Sequence, residues 1–444
     1  MHGWSPPAVR HSPDAPFPVV EFVAAASTPE GAREHARDFA AVAERLDRRG
    51  ARTEAAVAAV GRFAVAVPSW AFGTGGTRFG RFPGAGEPRA LEEKLEDAAV
   101  VHRLTGGTPR VSLHVPWDEP GDAAAVRARA AELGLGFDAV NSNTFQDQPG
   151  QARSYKLGSF SHPDAAVRRQ AVEHHRHVIE VGRAVGADAI TVWLADGANY
   201  PGQMSLRRSF DRVRDCLEEV YAALPDGWRL FTEHKPFEPA FYATVVQDWG
   251  SSFLLAQHLG ERAQCLVDLG HHLPNTNIEL IVARLIGAGK LGGFHFNDSK
   301  YGDDDLTAGS IKPYGLFLVF HELVLAERER VAGFRPAYMI DQSHNLKDPV
   351  EDLLQTVDQL QQAYAKAQLV DHEALAAYQD AGDVLMAERT LKDAYDTDVR
   401  PLVAEARRRN GAALDPVAAF RASGYRAEKV RERGAGVYVP AASL

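Results

Sequence analysis

Two short apolar runs near the middle of the chain end alike. The first, Gln264-Cys-Leu-Val-Asp268-Leu-Gly-His271-His272, closes on one aspartate and two histidines. A helix-like segment follows, and then Leu291-Gly-Gly-Phe-His295-Phe-Asn297-Asp298-Ser-Lys300, with an acidic turn, Asp303-Asp304-Asp305, just beyond it. Apolar runs of this length, rich in Val, Leu and Phe and bounded by Gly, read as buried strands. Carboxylates and imidazoles at strand ends are costly to bury alone. A divalent cation is the usual partner for Asp and His in this combination. The pattern predicts a metal site at the mouth of a parallel β structure.

Six further runs share the design. They begin at Phe63, Val111, Gly136, Ala189, Arg229 and Pro336. Seven of the eight runs are followed by a helical stretch before the next strand. That alternation predicts a (β/α)8 TIM barrel over residues 62–348, with an extension at 1–61 and a charged helical one at 349–444. One crossover helix is expected to open at Ser161, with Ser161 as N-cap and Pro163 in its first turn. Its Val167, Ala171, Val178, Val181 and Val185 form one apolar stripe.

Trp70, His114, Asn141, Trp193, Glu233, Asp268, His295 and Asp341 all fall at the C-terminal ends of these strands, the active-site face of such a barrel. Glu233 and Lys235 are two apart, so both side chains leave a strand on one side. Glu233, Asp268, His295 and Asp341 make a ligand set suited to Mn²⁺, Mg²⁺ or Co²⁺ and acceptable to Zn²⁺. His271, Asp303 and Asp305 could make a second site, with Glu233 bridging. Any one of these residues is equally well read as a cap or an ion pair. A glutamate, two histidines and four aspartates on four consecutive strand ends favour the metal. The glycine-rich loop 73–84, which carries Phe79, reads as a lid.

Composition narrows the alternatives. The net charge of −10 disfavours a nucleic-acid partner. Two cysteines, Cys216 and Cys265, argue against a disulfide framework and fit a reducing compartment. No window approaches the roughly 18 apolar residues of a membrane span, and the start has no apolar leader segment. The expectation is a soluble, cytoplasmic protein.

Three stretches carry a resemblance: Thr232-Glu-His-Lys-Pro-Phe-Glu-Pro-Ala-Phe-Tyr, Leu266-Val-Asp-Leu-Gly-His-His, and Gly292-Gly-Phe-His-Phe-Asn-Asp-Ser-Lys-Tyr-Gly-Asp-Asp-Asp. They resemble L-rhamnose isomerase, in its bacterial branch of relaxed specificity, within the xylose-isomerase-like barrels. The resemblance implies an aldose–ketose isomerase with two divalent metals per subunit, Mn²⁺ foremost, and a homotetramer acting on a small sugar. It implies that Glu233, Asp268, His295 and Asp341 hold a structural metal. It assigns the catalytic metal to His271, Asp303 and Asp305 with Glu233. Lys235 and His114 then contact substrate, Trp70 and Trp193 wall the pocket, Phe79 covers it, and Asp341 stands near the proton transfer. A sugar 3-epimerase would instead need one metal and paired glutamates, whereas the eighth strand offers Asp341. A repair nuclease of the same barrel group would need a basic face.

Overall fold

Eight stretches of extended chain run parallel and close on themselves in the computed structural model, which describes residues 28–73, 82, 84–343 and 346–436. They are β1 (Ala66–Pro68), β2 (Arg110–Ser112, continued by His114–Val115), β3 (Gly136–Phe137, continued by Val140–Ser142), β4 (Ala189–Trp193), β5 (Arg229–Glu233), β6 (Ala263–Asp268), β7 (Leu291–Phe296) and β8 (Ala337–Ile340). Each pairs with the next. The circle closes where Ala66 of β1 pairs with Met339 of β8. This is the predicted (β/α)8 barrel.

Alternation along the strands places the site. Phe231, Leu266 and Met339 belong to a small apolar cluster with Ala66, Ala139 and Ala189, separate from the larger core between sheet and helices. Side chains two apart on a strand share a face. The next inward positions on β5, on β6 and just past β8 are therefore Glu233, Asp268 and Asp341. Apolar side chains plug the barrel, and acidic ones lie directly above the plug. Gly292 leaves room for that plug, since a Cβ there would stand 2.6 Å from the Phe231 ring.

The helix Pro349–Gln368 packs between Pro313–Glu329 and Leu91–Thr105, the place of the eighth barrel helix. The helices Pro29–Asp47 and Thr53–Arg62 pack on Arg400–Arg409, where Arg409 meets Glu54 at 2.6 Å. The predicted apolar stripe is buried along the helix Ala165–Val185, but its start differs from the expectation. Asp164 is the N-cap, accepting from the Ala166 amide at 2.8 Å, and the Ser161 amide instead donates to Asp196 at 2.7 Å. Pro163 disfavours a helical backbone at His162, so the helix begins after the proline. No helix among the described residues is long and apolar enough to cross a membrane.

Candidate metal centre

Four strand ends converge. Glu233, Asp268, His295 and Asp341 each offer one ligand atom, and the four atoms lie within 4.8 Å of one another. His295 Nδ1 is 3.0 Å from Glu233 Oε1 and 3.8 Å from both Asp268 Oδ2 and Asp341 Oδ2. A second set, Asp268, His271 and Asp303, brings three ligand atoms within 4.8 Å of one another. The carboxylate common to both sets is Asp268. Glu233 also touches the second set, with His271 Nδ1 3.2 Å from its Oε1, while His271 Nε2 faces Asp303 at 3.2 Å.

Asp305, expected with the second set, is not a member of it. Its Oδ2 accepts from Ser343 Oγ at 2.8 Å, and its backbone is left-handed, with φ of 47°. A buried aspartate in that conformation is strained, a feature that clusters at functional sites. Asp304 turns away and caps its own loop, accepting from the amides of Lys300 at 2.6 Å and Tyr301 at 3.0 Å.

Asp268 is held by one oxygen. Its Oδ1 accepts from Asn297 Nδ2 at 3.0 Å and from the Gly270 amide at 2.7 Å. Its buried Oδ2 accepts no hydrogen bond from a described residue. Trp70 Nε1 holds Asp341 Oδ1 at 2.8 Å. Lys235 Nζ is 2.6 Å from Asp303 and 3.2 Å from Glu238, and lies over the Trp193 ring.

Crowded charge governs the electrostatics. Burial raises the Asp268 carboxyl, and nearby Asp303 and Glu233 raise it further against the opposing pull of His271, to about 7. Burial alone would lower His295, but Glu233, Asp341 and Asp268 together outweigh it and lift the imidazole to about 9. Burial would raise Glu233 too, yet the two histidines hold it well below the carboxylate range. Three carboxylates and an imidazole, with one buried carboxylate oxygen left without a hydrogen bond, fit a hard or borderline divalent cation.

A pocket of about 420 Å³ opens beside the acids. His114 lies in its wall, stacked on Trp117 at 4.0 Å between centroids, with Trp70 and Phe145 edge-on. Burial pushes its imidazole down to about 3, so it is neutral. Phe145 also packs on Trp193 at 4.8 Å. Trp70, Trp193, His114 and Lys235 thus reach one cavity with the acids. Phe79 and most of its loop fall outside the described residues.

Residues 100–324 match the family model described as xylose isomerase-like TIM barrel, about half of the chain. The chain belongs to that family. Within it, the chain is 60% identical over 399 residues to a probable sugar isomerase of Rhizobium meliloti (strain 1021), covering 90% of this chain and 93% of the relative. Identity and coverage are the same against a probable sugar isomerase of Mesorhizobium japonicum (strain LMG 29417 / CECT 9101 / MAFF 303099). A solved structure of L-ribulose 3-epimerase shares the barrel with a TM-score of 0.51 at 17% identity, covering 70% of this chain and 98% of that one.

Sequence reasoning gave no role to Phe145, Trp117, Asn297, Glu238 or Ser343. Asn297 carried a signal, since it sits in the same strand-end run as His295. Phe145 lies in a polar loop without periodicity, and nothing local marks it as a wall.

Proposed function

We propose that the chain is a metal-dependent aldose–ketose isomerase that converts L-rhamnose to L-rhamnulose, with L-mannose, L-lyxose and D-allose as further substrates. The observation that carries the reading is the pair of donor sets sharing Asp268 beside a pocket with aromatic walls. The relatives at 60% identity, both named probable sugar isomerases, support the reaction class. The choice of L-rhamnose rests on the motif resemblance. Glu233, Asp268, His295 and Asp341 would hold one divalent ion. His271 and Asp303 with Asp268, and Asp305 nearby, would hold the other. The same resemblance supports Mn²⁺ and a homotetramer of the 48.3 kDa chain.

Bound divalent ions would supply electrophilic stabilisation of charge on the sugar oxygens. The chain's own groups do the rest. Trp70 fixes one oxygen of Asp341 and leaves the other facing His295. Neutral His114 can exchange a hydrogen bond with a sugar hydroxyl. Lys235, buried and tied to Asp303 and Glu238, is placed as a donor in the pocket wall. The aromatic walls offer the sugar apolar faces. In this reading the carboxylates that meet at the centre are ligands, Glu238 is tied to Lys235, and burial leaves His114 a weak base, so no strong base stands over C1 and C2. The hydrogen on C2 is therefore expected to pass to C1 within the substrate.

The test is a panel of aldoses with Mn²⁺-loaded protein, including L-rhamnose deuterated at C2. The expected result is the 2-ketose with the label retained at C1 and the highest kcat/KM for L-rhamnose. Label lost to water would move the reaction to a base-mediated route. Epimerisation of ketoses at C3 without aldose formation would replace the isomerase reading by the epimerase one.

A further inference from the structure

At the opposite end of the barrel, where the strands begin, lies a second cavity of about 300 Å³. Arg229, Arg262 and Arg335 line it, and Glu261 is the carboxylate in the lining. A positive lining is unexpected on a chain whose net charge is −10.

None of the three guanidiniums makes an ion pair among the described residues. Arg229 uses only Nη1, bonded to the Arg335 carbonyl at 2.9 Å, with Gln264 Oε1 at 3.4 Å and the Gly292 carbonyl at 3.5 Å. Arg262 likewise uses only Nη1, bonded to the Pro225 carbonyl at 2.9 Å and the Leu224 carbonyl at 3.5 Å. Their Nε and Nη2 groups donate to no described residue. The exposed Arg335 side chain makes no hydrogen bond to a described residue. The rings of Phe231 and Tyr221 lie under Arg229 and Arg262 at 4.8 and 5.0 Å. Two anchored forks with idle donors and a third free to swing in make a pre-organised oxyanion receptor.

We propose that Arg229, Arg262 and Arg335 form a binding site for a phosphoryl group at the floor of the barrel. Charge selects the ligand class. Three arginines against one glutamate leave the lining at +2, and a phosphate monoester carries about −1.5 to −2 near pH 7. The cavity has room for a small carbon skeleton beside the phosphoryl group, so inorganic phosphate and a sugar phosphate are the two sources. Burial, reinforced by the Arg335 and Arg110 charges, lowers the pKa of Arg229, while Asp188 and Asp138 oppose that more weakly. A bound dianion relieves the crowding. Arg229 begins the strand that Glu233 ends, about 13 Å away at roughly 3.3 Å per residue. The floor site therefore connects to the metal-ligating mouth through a single strand.

Isothermal titration of the full chain in phosphate-free buffer tests this, with inorganic phosphate and ribose 5-phosphate as probes, each with and without EDTA. Both sources support the site, and a sugar phosphate binding at least tenfold tighter identifies the phosphorylated metabolite. Binding is expected to persist with EDTA and to weaken at least tenfold in Arg335→Ala, an exposed position whose change leaves the fold intact. Arg262→Ala gives an independent second variant. No binding at millimolar probe overturns the proposal. Affinity unchanged in both variants, or binding abolished by EDTA, places the anion elsewhere and also overturns it.

Discussion

At the scale of single residues, the centre depends on how Asp268 is turned. Its Oδ1 is occupied by Asn297 and the Gly270 amide, which aims Oδ2 at both histidines. Groups that orient a ligand in this way typically matter 10- to 100-fold for metal affinity. Asn297→Leu is expected to weaken Mn²⁺ binding by about that factor, measured by titration calorimetry on the chelator-stripped protein. A circular-dichroism melt separates that loss from misfolding. Mn²⁺ affinity equal to the parent's would show that the Gly270 amide alone sets the carboxylate.

Among the elements, the helix Ala165–Val185 packs closely on β3 at Gly182. A Cβ there would stand 2.8 Å from both the Trp228 ring and Val140. Val140 begins the strand segment that carries Asn141 to the pocket. Overpacking of a close contact usually costs 1–3 kcal/mol. Gly182→Ala is expected to destabilise by about 1–3 kcal/mol in chemical denaturation. Better intrinsic helix propensity opposes this by about 1 kcal/mol. A stabilised variant would mean that β3 and the helix can separate without strain.

For the whole molecule, the C-terminal helix Tyr425–Arg433 locks back onto the first crossover helix. Asp97, fully buried, accepts from Tyr425 Oη at 2.6 Å and from Arg433 Nη1 at 2.9 Å. Removing one partner of a buried pair leaves an uncompensated charge and costs about 3–5 kcal/mol. Arg433→Ala should lose about that much in urea unfolding, and a loss below about 1 kcal/mol would reduce the pair to a surface contact. Acid should act on the chain globally. Burial, with smaller cationic contributions, holds His102 and His321 down to about 4 and His175 to about 3. An unfolded histidine titrates near 6.5. These groups therefore contribute stability that is complete above about pH 6.5 and is lost as pH falls toward 4, where the unfolded state binds more protons. Unfolding free energy should fall across that window, and His321→Gln should make the slope shallower. A stability independent of pH between 6.5 and 4 would contradict the neutral burial of these rings.

The barrel and the strand-end acids were legible in the chain because both follow from local covalent geometry. Period-two alternation puts Phe231 beneath Glu233, Leu266 beneath Asp268 and Met339 beneath Asp341, whatever the rest of the molecule does. Distances across the mouth are a different kind of quantity. They depend on the stagger of eight strands and on how the loops pack. Only the tertiary structure made Asp268 the carboxylate common to both donor sets, turned Asp305 onto Ser343 and Asp304 onto its own loop, and brought Phe145 from a polar loop against Trp193. The same holds for the floor, where Arg229, Arg262 and Arg335 come from separate stretches that carry no shared motif. Periodicity within one element says which way a side chain faces. Which side chains meet is decided by the closure of the sheet.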